Sequence, residues 1–334
     1  MHPPTISSQK YSRFEKMLLN LGSPRTDLEE ISCHYEGNFH SISKHQLYSS
    51  HFSKHVIDVL TSLVLGAHGG IYRKREGGGL YVEEHIAEIM EIAHRMGVPP
   101  SVIFAYGVHD FDEDNRMRII HAADKETHRE TNRRLLEQQV LDLCPRRSVG
   151  ETHISRTDRN IILNVSGLMT KPLEEELVSG LMTKPLEDEL GEFEEDMEDR
   201  RFVGKVFGAL GGNYWDRKVS KEIRVNEGQR HYARLGILLD MFSNGNPLEM
   251  PKSDSTKDDK RSFEENQVRN TLRLINFGKL LDYSIRQQPE SYHTIMNKEQ
   301  YERFRREDLI PRIQAGIDKF NLDVSDSQRK YWNL

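Results

Sequence analysis

One segment constrains the fold more than any other. Residues 102–110, VIFAYGVHD, are apolar almost all round and then end in two polar residues. A helix with apolar residues on every face is normally buried on every side, so this segment belongs at the centre of the molecule. It delivers His109 and Asp110 into that interior. Burying a charge without a partner is costly, and the pair therefore calls for a ligand or a counter-charge.

Helical spacing dominates the rest. Over 47–66, Val56, Leu60, Leu63 and Leu65 form a candidate buried stripe. Arg73–Gly79, RKREGGG, interrupts it, because three glycines in a row carry a high entropy cost in a helix. Helix resumes in YVEEHIAEIMEIAHRMG, with Ile86, Ile89, Met90 and Ala93 on one side and Gly97 near its C-terminal end. Pro99-Pro100-Ser101 then opens the apolar helix. Residues 116–160 read as basic, solvated helices, 230–244 as another buried helix, 245–262 as an exposed loop, and 265–320 as helical. Strand signals are sparse, so the expected class is all-α, a helical bundle. Residues 1–30 read as a polar N-terminal extension whose one helix has no evident attachment. The main domain is expected over 31–325, with an acidic insertion at about 150–225. That insertion holds a tandem duplication, VSGLMTKPLEEEL (165–177) followed by VSGLMTKPLEDEL (178–190). Two copies are too few for a solenoid, which leaves a local duplication tolerated in a surface loop.

Composition narrows the function classes. Hydrophobic residues make up 36% and charged residues 30%, and no run approaches the roughly 20 apolar residues of a membrane span. No apolar leader follows the first Met, and Cys33 and Cys144 are too few for a disulfide framework. The expectation is a cytoplasmic protein with no membrane partner. A net charge of −6 argues against nucleic acid as a partner but leaves a small anionic ligand open, since a local cationic pocket can coexist with an acidic exterior.

The chemistry gathers around HDFDED, residues 109–114. If helix continues, Glu113 and Asp114 fall one turn beyond His109 and Asp110. A histidine and a carboxylate can hold a divalent cation, with free carboxylates nearby to orient and deprotonate water. His85, on the preceding helix, reaches His109 if the two helices pack antiparallel through the short GVPP turn. Asp240 ends the apolar run LGILLD, with Asn244 one turn on. Two histidines and two aspartates suit Mn²⁺, Fe²⁺ or Zn²⁺ better than Ca²⁺. His51 and His55 share the i,i+4 spacing but lack a flanking HExxH glutamate, and read as surface histidines. Gly77–Gly79 lacks a phosphate-loop pattern and reads as a turn.

Residues 67–114 resemble the start of the hydrolase domain of RelA/SpoT homologues. There a basic Arg-Lys segment precedes a Tyr-x-x-His helix, and HDxxED follows about two dozen residues later. LLDMFSNG is similar to the family's later Asp-x-x-x-Asn helix, and VSGLMTKP to its Val-x-x-Leu-Thr-Lys segment. The resemblance implies an HD-type metal-dependent phosphohydrolase that removes the 3′-pyrophosphate of guanosine tetra- and pentaphosphate. It implies manganese on His85, His109, Asp110 and Asp240, water activation by Glu113 and Asp114, and nucleotide contacts from Asn244 and from Arg73 and Lys74. The chain departs from the pattern in places. Tyr81 and His85 are separated by three residues, Ile86 stands where proline is usual, and Met241 and Ser243 replace a basic residue and a histidine. Asp110 and Asp240 are also 130 positions apart. The stretch after Asn244 reads as too short and too polar for a synthetase domain, so hydrolysis without synthesis is expected. The alternatives are an HD enzyme acting on dNTPs or nucleoside monophosphates, and a non-catalytic nucleotide sensor on the same scaffold. Oligomeric state cannot be read from these residues.

Overall fold

The structure is a computed structural model that describes residues 11–24, 51–73, 75, 77–111, 125–143, 154–169, 227–286 and 296–334. Helix dominates them, as expected for an all-α protein. Among the described residues no strand forms, and the single β-bridge is an isolated antiparallel one between Tyr72 and Leu80. That bridge folds 71–81 back on itself, with the Arg73 N–H donating to the Gly79 carbonyl and the Tyr81 N–H to that of Ile71.

The first helices are α1 (Ser12–Leu21), α2 (Lys54–His68), α3 (Ala87–Arg95) and α4 (Pro100–Gly107). A π-helical turn, Val82–Ile86, leads into α3, and its last bond runs from the Ala87 N–H to the Val82 carbonyl. A π turn closes one residue later than an α turn, so one additional residue is accommodated in the turn that carries His85. Gly97 has φ +75° and turns the chain towards α4, which Pro100 opens at its first position. Every residue of α4 is buried, the burial its composition demanded. In the stripe of α2, Val56, Leu60 and Leu63 are buried, whereas Leu65 is only partly covered.

Next come α5 (Lys125–Asp142), α6 (Arg156–Met169) and α7 (Glu227–Asn244). Two expectations shift here. Helix α5 is not simply solvated, since Leu136, Val140 and the polar Asn132 are buried. The acidic insertion does not begin at about 150, because α6 buries Ile161, Ile162 and Val165 and packs on both α4 and α7. The apolar positions of α6 outweigh the charge beyond its C-terminal end. The first five residues of the duplication, Val165–Met169, thus belong to the core, and the remainder lies outside the described residues. Gly236 makes the crossing possible. A Cβ there would fall 2.4 Å from Met169 Sδ and 2.7 Å from the Tyr106 ring.

The chain ends with α8 (Lys257–Arg286), α9 (Lys298–Phe304), α10 (Ile310–Phe320) and α11 (Asp326–Trp332). The loop expected over 245–262 stops at Thr256, which caps α8. The Asp259 N–H donates to Thr256 Oγ1 at 3.1 Å, and the Thr256 N–H donates back to Asp259 Oδ2 at 3.3 Å. Both ends of the described chain join the core. Helix α1 buries Phe14 and Met17, and its Arg13 and Phe14 N–H groups donate to the Glu83 carboxylate at 2.9 and 3.0 Å. Trp332, beyond the expected edge at 325, is fully buried.

Candidate metal centre

The segment carrying HDFDED leaves helix geometry early. Helix α4 stops at Gly107, and residues 108–110 form a turn in which the Phe111 N–H bonds to the Val108 carbonyl at 3.1 Å. His109 and Asp110 therefore sit at the mouth of the buried helix. His85 lies at the start of the helix before it, and the two imidazole rings are 5.7 Å apart. The start of one helix meets the end of the next, so the pair runs antiparallel. Helix α7 brings Asp240 to the same place. One donor atom from each of His85, His109, Asp110 and Asp240 lies within 4.8 Å of all the others.

His85 Nε2 is 3.2 Å from Asp240 Oδ1 and 3.7 Å from Asp110 Oδ2. His109 Nε2 is 3.2 Å from Asp110 Oδ2 and 3.5 Å from Asp240 Oδ1. Both nitrogens are buried, and both face the carboxylates without the alignment of a hydrogen bond. Their other ring nitrogens are engaged. His109 Nδ1 donates to the Tyr106 carbonyl at 2.7 Å, and His85 Nδ1 lies 3.0 Å from Ser243 Oγ. The one proton of Ser243 goes to Glu88 Oε2 at 2.6 Å, so His85 Nδ1–H is the donor to Ser243. Each imidazole thereby donates from Nδ1 and keeps Nε2 on the side of the carboxylates, the orientation that metal ligation requires once Nε2 carries no proton. Donor separations of 3.2–3.7 Å also suit a shared ion with bonds of about 2.0–2.2 Å. The residues fit a divalent metal. Mixed imidazole and carboxylate donors do not single out which one.

The electrostatics agree. Burial disfavours charged His109, but Asp110 and then Asp240 override it and raise the imidazole from 6.5 to about 9. Burial likewise opposes ionised Asp110, yet His109, His85 and the Tyr81 hydroxyl hold it well below the usual carboxylate range. Tyr81 donates to Asp110 Oδ2 at 2.6 Å. Asp240 is also lowered, the two histidines outweighing burial. Two ionised carboxylates that draw a proton onto a buried imidazole would draw a metal cation by the same force. His68, whose ring lies 5.1 Å from Tyr81, goes the other way, its burial lowering it to about 4.

Asn244 Nδ2 donates to Asp240 Oδ1 at 2.9 Å, and its Oδ1 accepts from Arg73 Nη2 at 3.3 Å. Two of the three residues expected to contact a ligand, Arg73 and Asn244, therefore border the cluster. Lys74, Glu113 and Asp114 lie outside the described residues. His51 and His55 are exposed, as surface histidines should be. Sequence reasoning missed Glu88, Arg75 and Glu249. Glu88, three residues after His85 on the same helical face, was open to detection, as was Arg75, next to the basic pair. Glu249 carried no local signal.

In comparisons with known proteins, no family model, no curated protein and no solved structure matches this chain.

Proposed function

We propose that this protein is a metal-dependent HD-type phosphohydrolase acting on a nucleotide, transferring the 3′-pyrophosphoryl group of guanosine tetra- or pentaphosphate to water. The observation that carries the reading is the convergence of His85, His109, Asp110 and Asp240, with the buried Nε2 atoms of both imidazoles turned to the two carboxylates. The resemblance of residues 67–114 to the RelA/SpoT hydrolase segment supports the substrate. A bound divalent ion would supply Lewis-acid polarisation of the phosphoryl group and a lowered pKa for the attacking water. The protein's own residues do the rest. His85 and His109, fixed by Ser243 and the Tyr106 carbonyl, keep their ligand atoms in place. Arg73, anchored on Asn244, offers donors to a phosphoryl oxygen. Glu113, with Asp114, takes the proton of the attacking water as its oxygen bonds to phosphorus. The bond from phosphorus to the ribose 3′ oxygen then breaks, and the proton taken from the water passes to that oxygen, giving the nucleotide 3′-hydroxyl and pyrophosphate.

The test is Mn²⁺-dependent release of pyrophosphate from guanosine tetraphosphate, with Asp110→Ala beside the unaltered protein. Turnover that disappears in the variant and with chelator is the expected result. Stoichiometric manganese binding without turnover moves the substrate to dNTPs or nucleoside monophosphates. A protein that binds nucleotide but no metal is a sensor, and the enzyme reading then fails.

A further inference from the structure

A second charged assembly lies beside the metal-ligating cluster. Arg73 and Arg75 leave the folded-back loop at 71–81, and both guanidinium groups meet one carboxylate oxygen. Arg73 Nη2 lies 4.0 Å from Glu249 Oε1, and Arg75 Nη1 bonds to that same oxygen. The Arg73, Arg75 and Glu249 side chains are only 11, 17 and 10% exposed. Arg312 adds positive potential from α10, its guanidinium stacked 3.7 Å from the centre of the Phe242 ring. The assembly is continuous with the metal centre, because Arg73 bonds to Asn244 and Asn244 to Asp240. A single side chain separates the guanidinium pair from a metal ligand.

Glu249 comes from the irregular segment joining α7 to α8. Its backbone is pinned, since its carbonyl accepts from Gln267 Nε2 at 2.9 Å and from Lys319 Nζ at 3.2 Å. Its neighbours Leu248 and Met250 are 74% and 57% exposed. Rotation of the Glu249 side chain alone would release the carboxylate and leave these backbone contacts in place. Arg75 keeps its other partner, Glu84, at 2.6 Å, and so stays oriented when Glu249 departs. Paired guanidinium forks beside a cation site match the several oxygens of a phosphoryl group better than one oxygen of a carboxylate. Glu249 is also poorly solvated where it sits, and burial raises its carboxyl in spite of the arginines.

We propose that Arg73 and Arg75 form the seat of a phosphoryl anion, and that Glu249 is a built-in carboxylate which holds this seat until a phosphoryl group displaces it. The inference rests on reading the neighbouring cluster as a phosphohydrolase centre, and it adds Arg75 and Glu249 to that centre. Glu249 then acts as a specificity residue. Only a ligand with more charge and more oxygen acceptors than a carboxylate gains by the exchange.

The experiment is calorimetric titration of inorganic pyrophosphate into metal-stripped full-length protein, Glu249→Gln and Arg75→Gln. A separate titration of each with Mn²⁺ accompanies it. Removing one competing unit charge at contact distance is expected to tighten pyrophosphate binding about tenfold in Glu249→Gln, and Arg75→Gln to weaken it by a similar factor. Pyrophosphate binding in Glu249→Gln no tighter than in the unaltered protein overturns the proposal. Should that variant not fold, Arg75→Gln decides, and undiminished affinity there sinks the idea equally. Mn²⁺ uptake keeps the two readings apart. A protein that shows the expected pyrophosphate order without taking up metal loses the metal centre but retains the seat.

Discussion

The Ser243 hydroxyl links His85 to Glu88. It accepts from His85 and donates to Glu88, so one proton direction fixes the tautomer of a buried ligand. Ser243→Ala should weaken Mn²⁺ binding about 10–100-fold, the usual cost of removing a ligand's outer partner. Ser243→Thr, which keeps the oxygen, should recover most of it. Calorimetric affinities for the two variants, with their melting temperatures in chelator, separate this from plain destabilisation. His109 supplies a second test. Raised from 6.5 to about 9, it is protonated at pH 7 in the metal-free protein, whereas ligation needs the free lone pair. Metal binding at pH 7 should therefore release a proton, and affinity should climb by up to about tenfold per pH unit before levelling off above about 9. Titrations in buffers of different ionisation heat measure that proton. Affinity that does not change between pH 7 and 9 would contradict the assignment.

At the scale of elements, the π turn and the C-terminal helices do different work. The π turn places Tyr81 and His85 with ring centres 4.7 Å apart while Tyr81 reaches Asp110, so the one-residue irregularity sits at the site. The C-terminal helices are locked by Asp282 of α8, which is fully buried. It accepts from the Tyr301 hydroxyl of α9 at 2.7 Å, from Arg305 Nε at 2.8 Å and from the Tyr331 hydroxyl of α11 at 2.8 Å. Removing one partner of a buried pair leaves the other charge uncompensated. Asp282→Ala is expected to cost about 3–5 kcal/mol, read by denaturant unfolding. A loss below about 1 kcal/mol, the value of an exposed pair, would mean that water reaches Arg305.

For the whole molecule, the four candidate ligands come from three segments whose residues span 85 to 240, so a bound metal ion would tie distant parts of the chain together. Binding to the folded state alone should add about 2.7 kcal/mol when free metal stands at 100 times its Kd. Melting curves with Mn²⁺ and with chelator test this. In the metal-free protein the pH trend has a definite sign. The stability from His109 is complete below 6.5 and is lost as pH rises through about 9. His68 acts on the acid side. Its lowered value favours the folded state above 6.5, and that advantage disappears as pH falls towards about 4. Chelated protein should thus lose stability from pH 6.5 to 9, while the manganese-loaded form does not.

By itself the sequence determined the helical class, the burial of 102–108, and the four candidate ligands His85, His109, Asp110 and Asp240. These rest on local physics, because periodicity and a polar pair closing an apolar helix are written within one or two turns. It could not reveal that α1 and α11 join the core, or that α6 belongs to the bundle and not to an insertion. Those outcomes depend on which apolar faces find each other across tens of residues. Ser243 and Glu88 behind His85, and Glu249 on Arg73 and Arg75, were decided only by tertiary packing. A hydrogen bond or ion pair between residues more than 150 positions apart leaves no periodic trace, and exists only once the helices have brought both partners together.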